Sequence, residues 1–369
     1  MSNNNENTIR NYYDILVSNL NSKSLSSNDT LKYEEVRDTA NAFVNKASDY
    51  LFSIVRFSLE TNCLPIWFCE IQSGQSDINL SIYSISMEYN NQIVQTYIEY
   101  IPQDKTANIP TPPYYNSNNL QTFCDYYYVY NYQYLIFLLN NTISKCFTDL
   151  QNLTTLPTSN IPYFKWNTTN NIATLISDNN GFNDTSSDYI KIYMNNALFN
   201  LFESFPSYTI NNTSSQGLIY QISTSSYGIA DKLTINNITY LSCSQEFSTI
   251  SIWNPVLSIV FLSFSLPIKS ESIGAPLIFI NDNKYQSSTN NNIQSVITDF
   301  QTGDNIYKSY VNYQPTVLRY IQLNSDQPIT KIDISCYWKN RLGELIPFKL
   351  NPNNSMTIKV CFTRLFTQT

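Results

Sequence analysis

From Ile332 to Trp338 the chain alternates. Ile332, Ile334, Cys336 and Trp338 fall on one parity, and Asp333, Ser335 and Tyr337 fall on the other. A strict two-residue period is that of a pleated strand with one face in a core. A helix would scatter the same four apolar residues around its circumference. The run enters a turn over 339–344 and then a second apolar stretch ending at Leu350.

Similar apolar runs recur along most of the chain. They predict strands over 50–60, 64–71, 78–90, 92–102, 163–166, 173–176, 189–194, 218–223, 233–242, 256–268, 276–280, 317–323, 331–338 and 356–366. An aromatic strand is also expected just after Cys124, and a hairpin around Asn90-Asn91. The proline- and asparagine-rich stretch 103–122 is expected to be an exposed connection. Between 132 and 150, Leu135, Leu138, Leu139, Ile143 and Cys146 fall at helical spacing, which predicts one long helix. A short helix is expected near 197–203. About fourteen strands with one or two helices and no repeat period imply an antiparallel all-β fold, a sandwich or jelly roll. Residues 1–45 are polar and weakly patterned. Ile9, Tyr12, Ile15, Leu16 and Leu20 are spaced like a short helix, a docking arm or a frayed terminus.

The composition narrows function by removal. The chain has 369 residues and no histidine, which removes Ser-His-Asp and Cys-His catalysis and the commonest metal ligand. Its seven cysteines (63, 69, 124, 146, 243, 336, 361) form no CxxC pair and fit free, mostly buried thiols. Its seven glycines never form a GxGxxG or GxxxxGK loop, so no nucleotide cradle is expected. Net charge is −7 with no Lys/Arg cluster, so no direct nucleic-acid contact is expected. The first residues, MSNNNENTIR, lack the apolar core of a leader, and 255–268 is too short and serine-rich to span a bilayer. The Asn-x-Ser/Thr triplets are therefore read as products of an asparagine-rich composition. Charged residues make up 13% of the chain, about half the usual roughly 25%. Neutral polar side chains and 29 tyrosines carry the surface instead, a composition suited to broad contacts between proteins.

Four candidate sites each have a plainer reading beside the functional one. The pair Glu34-Glu35, expected on a helix or loop, reads as solvated surface, because neighbouring exposed carboxylates rarely acquire separated pKa values. Asp125, beside three tyrosines, resembles a sugar-binding platform but also an ordinary sheet face. The run Tyr337-Trp338-Lys339-Asn340-Arg341 offers a stacking surface, yet the phase of Trp338 with Ile332 and Ile334 places it in the core. Ser144-Lys145 has the residue types of a serine–lysine dyad, but on a helix surface. No catalytic, cofactor-binding or metal-binding residue is assigned, no cofactor is expected, and the chain is expected not to be an enzyme.

An ordered series of segments does carry a resemblance. SIVRFSLETNCLPIWFCEIQ (53–72) and NLSIYSISMEYNNQIVQTYIEYIPQ (79–103) resemble the amino-terminal half of the penton, or minor capsid, proteins of virophages and polinton-like viruses. YYYVYNYQYLIFLLNNTISKCFTDL and IKIYMNNALFNLFESFP are similar to their middle. SIWNPVLSIVFLSFSLPI (251–268), NIQSVITDF, RYIQLNSDQPITKIDISCYWKNRLGELIPFKL and TIKVCF are similar to their carboxyl-terminal half. The resemblance implies a single jelly-roll sandwich with an inserted, mostly β lobe. The abrupt change near Tyr50 from polar irregular sequence to alternating strands makes 1–45 an N-terminal arm outside the sandwich. The resemblance covers roughly Tyr50 to the end, with 46–104 the first part of the sandwich, 105–245 the inserted outer lobe and 246–369 its second part. It further implies homopentamers at the five-fold vertices of an icosahedral shell, with a double jelly-roll major capsid protein around them. The protein would reside in virions assembled in host cytoplasm. The alternative from another class is a receptor- or glycan-binding spike.

Overall fold

A computed structural model describes residues 9–19, 31–72, 75, 77–103, 125–210, 218–268, 278–280, 284–286, 295–301, 309–341 and 345–365. The chain begins with β1 (Arg10–Ser18), β2 (Lys32–Val36) and β3 (Tyr50–Glu60). Then come β4 (Trp67–Phe68), β5 (Ser84–Tyr89), β6 (Gln92–Tyr97), β7 (Tyr128–Val129), α1 (Tyr132–Leu153), β8 (Tyr163–Asn167) and β9 (Ile172–Asp178). These are followed by α2 (Asn179–Phe182), β10 (Lys191–Met194), α3 (Asn196–Leu201), β11 (Ser207–Thr209), β12 (Tyr220–Ile222), β13 (Asp231–Ile235), β14 (Ile238–Ser244) and α4 (Ile250–Trp253). The chain ends with β15 (Val256–Leu262), β16 (Ile278–Ile280), β17 (Lys284–Gln286), β18 (Val296–Gln301), β19 (Tyr310–Tyr313), β20 (Ile321–Gln322), β21 (Lys331–Asn340), β22 (Leu345–Pro347) and β23 (Ser355–Arg364). Two compact units result: Met1–Leu64 with Val256–Thr369, and Pro65–Pro255.

The first unit is a two-sheet β-sandwich. One sheet runs β1-β23-β3-β19, with β20 also on β3; the other runs β17-β16-β22-β21-β15-β18, with β2 on β21. Phe52, Ile54, Phe57 and Leu59 of β3 and Met356, Ile358, Val360 and Phe362 of β23 are all buried. Phe57 joins the sheets, with its ring centroid 5.2 Å from that of Phe261 on β15 and 4.7 Å from that of Phe300 on β18. Burying one such side chain contributes about 1.5–3 kcal/mol. This layered arrangement is the jelly-roll layout the pattern of strands implied.

Three expectations for this unit are corrected. Residues 10–18 are neither helix nor arm: they form β1, paired antiparallel with β23 from Arg10↔Thr363 to Ser18↔Ser355. Ile15 is buried and pairs with Ile358, whereas Tyr12 and Leu16, counted toward a helical stripe, are exposed. The partner lies more than 300 residues away, so a local window cannot see it. β2 likewise pairs with β21, from Lys32↔Ser335 to Val36↔Lys331. Finally, β21 is not half-buried. Ile332, Ile334, Cys336 and Trp338 line one face, but Asp333, Ser335 and Tyr337 on the other face are buried as well. That second face forms a small core of Val260, Leu262, Tyr337 and Leu345.

The second unit is built around α1. Asn131 caps it, its side chain accepting from the Tyr134 amide at 2.8 Å. The buried stripe Leu135, Leu138, Leu139, Ile143, Cys146 and Leu150 has the period read from sequence. Two main sheets belong to this unit, β11-β12-β10-β5-β6 and β13-β14-β9-β8, with the small pair β4-β7. The hairpin β5–β6 turns through Asn90 and Asn91 at φ 49° and 60°, as the Asn-Asn pair implied. Its strand β5 pairs with β10, so residues 78–102 belong to this unit and not to the sandwich. The unit boundaries therefore fall at 64/65 and 255/256, not at 104/105 and 245/246. A hairpin's own alternation says nothing about which sheet it joins. The single strand expected over 233–242 is a second hairpin, β13–β14, turning through Asn236 and Asn237 at φ 50° and 64°. The strand expected over 64–71 shortens to β4, and that over 317–323 to β20. The connection 103–122 lies almost wholly outside the described residues.

Candidate functional site

Glu34 and Glu35 sit side by side on the strand β2, not on a helix or loop, because pairing with β21 extends this segment, and they point apart. Glu34 pairs with Lys32 at 2.8 Å and Lys331 at 2.6 Å; those partners hold its carboxyl below the ordinary range. Glu35 takes Arg37 at 2.6 Å and the Tyr33 hydroxyl, and is lowered by them, first by the tyrosine. The Arg37 guanidinium lies 3.9 Å from the Phe43 ring centroid and 5.3 Å from that of Tyr13. This chain of contacts fastens β2 to its surroundings. Two carboxylates both shifted downward by permanent partners are suited to holding charge, not to exchanging protons at neutral pH.

The run 337–341 is divided among environments. Trp338 is buried on the face shared with Ile334, Tyr337 on the opposite face, Asn340 is buried and Arg341 is exposed. The run's two aromatic rings thus lie on opposite faces of the strand. Ser144 and Lys145 are adjacent on α1. The Lys145 ammonium pairs with Glu99, which raises its pKa, and so it is no deprotonated base. Asp125 opens a short 3-10 turn, and its side chain lies outside the described residues. The neighbouring Tyr127 is buried edge-on against Tyr100, 5.3 Å between centroids.

The six described cysteines are all free. Burial pushes Cys63 and Cys146 up to about 12 and Cys243 to about 11, so none of these three supplies a thiolate near neutral pH. Among the described residues no three Cys, Asp or Glu side chains gather as metal ligands, and no helix is long and apolar enough to cross a membrane.

One carboxylate passed over in the sequence carries weight. Asp333, on the second buried face of β21, accepts from Ser263 Oγ at 2.6 Å, from the amides of Phe264 at 2.9 Å and Ser265 at 2.8 Å, and from the Ser265 hydroxyl. Burial alone would raise its pKa. The donors outweigh burial and hold the carboxyl below its usual range. Asp333 thus fixes the turn leaving β15. Its signal in the sequence was a charged residue inside an apolar strand.

What remains exposed is surface. On the β1–β23 sheet, Asp14 bridges Arg56 at 3.6 Å and Lys359 at 3.3 Å, and Lys359 lies 5.6 Å from the Tyr12 ring centroid. Ile9, Tyr12 and Leu16 are exposed with Val36 on β2, as are Tyr310, Val317 and Tyr320 toward the other end of the strand order. Such apolar and aromatic groups, scattered between ion pairs on an exposed sheet face, suit contact with another protein.

Comparison with known proteins gives a family and a fold. The family described as Sputnik minor capsid protein V18/19 matches residues 11–364. The chain is similar to the uncharacterized protein V18 of Sputnik virophage, 32% identical over 111 residues that make up 29% of this chain and 66% of that protein. It is also similar to the structural protein V19 of Sputnik virophage, 25% identical over 184 residues, 47% of this chain and 81% of that protein. The matched region thus spans about two thirds of the length of the first relative. Among solved structures, a chain of the Sputnik virophage determined by cryo-EM superposes with a TM-score of 0.77 at 24% identity, covering 96% of this chain and 98% of that one. The mavirus penton protein superposes with a TM-score of 0.62 at 14% identity, covering 97% and 100%. At these identities the likeness is one of fold.

Proposed function

Because the chain belongs to the Sputnik minor capsid protein V18/19 family, we propose that it is the penton of a virophage-type particle, a structural protein with no catalytic role. Five copies close a ring at each five-fold vertex, and a double jelly-roll major capsid protein surrounds the ring. The observation that carries this reading is the fold likeness to the mavirus penton protein over 97% of the chain. The exposed groups at the two ends of the β1–β23 sheet support it. A head-to-tail contact needs two different surfaces on one subunit, and such contacts close into a ring at a fixed rotation. Low charge density adds to this, because a ring brings identical charges together. The protein resides in virions assembled in host cytoplasm, and it contacts neither nucleic acid nor membrane directly.

Cryo-EM of the assembled particle tests the proposal. Five copies around the icosahedral five-fold axis are expected. Density for this chain at a three-fold or hexameric position would end the penton reading. The spike alternative has its own observation: Tyr163, Tyr208 and Tyr227 of the 65–255 unit are exposed. Specific signals on a carbohydrate array would favour it.

A further inference from the structure

The strand β13 is exposed along its whole length, and it ends the four-stranded sheet β13-β14-β9-β8. Its hairpin to β14 has a two-residue turn, so Ile235 and Ile238 form a hydrogen-bonded pair and every second residue repeats it. The amides of Asp231, Leu233 and Ile235 therefore face β14. Those of Lys232 and Thr234 face the open edge. Leu233 and Ile235 are 41% and 46% exposed, and they share a face with the half-buried Ile238 and Tyr240. An open edge bearing apolar side chains is a template for strand addition.

The segment leading into β13 is held in an unfavourable backbone conformation. Ser226, Tyr227 and Gly228 lie at φ 49°, 59° and 89°, three successive left-handed residues of which two carry side chains. The surroundings fasten them. Asp184 accepts from Ser223 Oγ at 2.6 Å and from the Ser225 hydroxyl. The Tyr227 amide donates to Ser223 Oγ at 2.8 Å, and the Tyr227 hydroxyl accepts from the Ser207 amide and donates to the Ser207 carbonyl, both at 2.9 Å. This anchored turn sets Ile229, 84% exposed, just ahead of the open strand. Strain maintained by so many contacts is a mark of functional placement.

Charge gives the character of the partner. Residues 65–255 carry 13 acidic and 5 basic side chains, net −8, whereas the rest of the chain carries 15 and 16, net +1. The entire negative balance of the protein thus lies in the unit that bears β13. Asp149, Asp188, Glu203, Asp231 and Glu246 are among its exposed acids.

We propose that β13 receives an extended segment of a different protein, antiparallel to it and apolar at alternate positions, with lysine or arginine at its flanks. The backbone of Lys232 and Thr234 supplies the hydrogen bonds, Ile229, Leu233 and Ile235 the apolar contact, and the acidic unit the long-range attraction.

The test uses the full chain and two synthetic heptapeptides of alternating β-branched and threonine residues, one ending in lysines and one in glutamates. Binding is followed by calorimetry at low and at physiological salt. The lysine-ended peptide is expected to bind at least about tenfold tighter than the glutamate-ended one, and to weaken as salt rises. Thr234→Pro removes an edge amide without touching the ladder to β14, and should weaken binding by about tenfold or more. The side-chain variant Leu233→Thr/Ile235→Thr keeps the backbone and should weaken it too; circular dichroism and melting check that both variants fold. Absence of binding by the lysine-ended peptide, equal binding of the two peptides, or indifference to Thr234→Pro in a folded variant would overturn the proposal. So would a concentration-dependent dimer of the chain alone that Thr234→Pro abolishes, since the edge would then serve a second copy.

Discussion

The sandwich and the 65–255 unit are both largely β, but they are assembled from different distances. In the sandwich, β1 pairs with β23 and β3 with β23, so strands near one end of the chain complete a sheet with strands near the other. In the second unit most partners are near in sequence: β5 with β6, β8 with β9, β13 with β14. The second unit also carries the long helix and the whole of the net negative charge. Remote pairing costs more loop entropy before any contact forms. The sandwich should therefore be the more cooperative unit and the more easily broken by loss of a terminal piece.

The largest expected effect comes from removing residues 1–43. That deletion takes away β1 and β2, exposing the β23 edge and the core around Ile15, Ile358 and Ile334. Soluble, cooperatively melting protein should be lost. Recovery of a folded truncation with an unchanged melting profile would show that β1 is an accessory to the sheet.

Next is Phe57→Ala, which empties the space shared with Phe261, Phe300 and Tyr313. A loss of about 3–5 kcal/mol is expected from denaturant unfolding. Hydrogen exchange sharpens the contrast: amides of β3, β15 and β18 should exchange faster, with those of α1 changing less. Equal acceleration in both places would mean the two units unfold as one.

Asp333→Asn should cost about 1.5–3 kcal/mol at neutral pH, by weakening hydrogen bonds made to a charged group. The sign of its pH dependence follows from a lowered folded pKa. The contribution is fully present above the unfolded value, about 3.9, and is lost as pH falls through the folded value. The variant should therefore have a shallower acid limb than the parent. The second unit holds a counterpart: Asp178, buried, accepts from Thr158 Oγ1 at 2.5 Å, Asn160 Nδ2 at 2.7 Å and the Asn180 amide at 2.9 Å. Burial pushes it up and these donors bring it below the usual range. Asp178→Asn should flatten the same limb. Acid unfolding followed by circular dichroism checks both, and an unchanged limb in either variant would remove that residue from the acid response.

The smallest effect is expected at Asp14→Asn. Its pairs with Arg56 and Lys359 are largely exposed, and exposed pairs are worth roughly 0–1 kcal/mol. A melting temperature shifted by more than a few degrees would place Asp14 in a tighter environment than its exposure indicates.

Local patterns were legible where local physics decides the outcome. The helix at α1 could be read from its apolar stripe, and the β5–β6 hairpin from Asn90-Asn91, because both depend on residues a few positions apart. The strand at 331–340 was visible, and so was the inward face of Trp338. The sequence also narrowed the chemistry open to the four candidate sites: without histidine or a glycine loop, few catalytic arrangements remain, and each candidate had a plainer structural reading.

Tertiary structure alone decided what depends on partners. Whether residues 10–18 coil into a helix or extend as β1 is settled by the free edge of β23, not by the ambiguous spacing of Ile9, Tyr12, Ile15 and Leu16. Whether Asp333, Ser335 and Tyr337 meet water or a second core is settled by Val260, Leu262 and Leu345 arriving from other strands. The assignment of residues 78–102 to one unit follows from β10 taking β5. Side-chain period is a property of a segment, whereas burial, sheet membership and hydrogen-bond satisfaction are properties of whatever comes to lie against it.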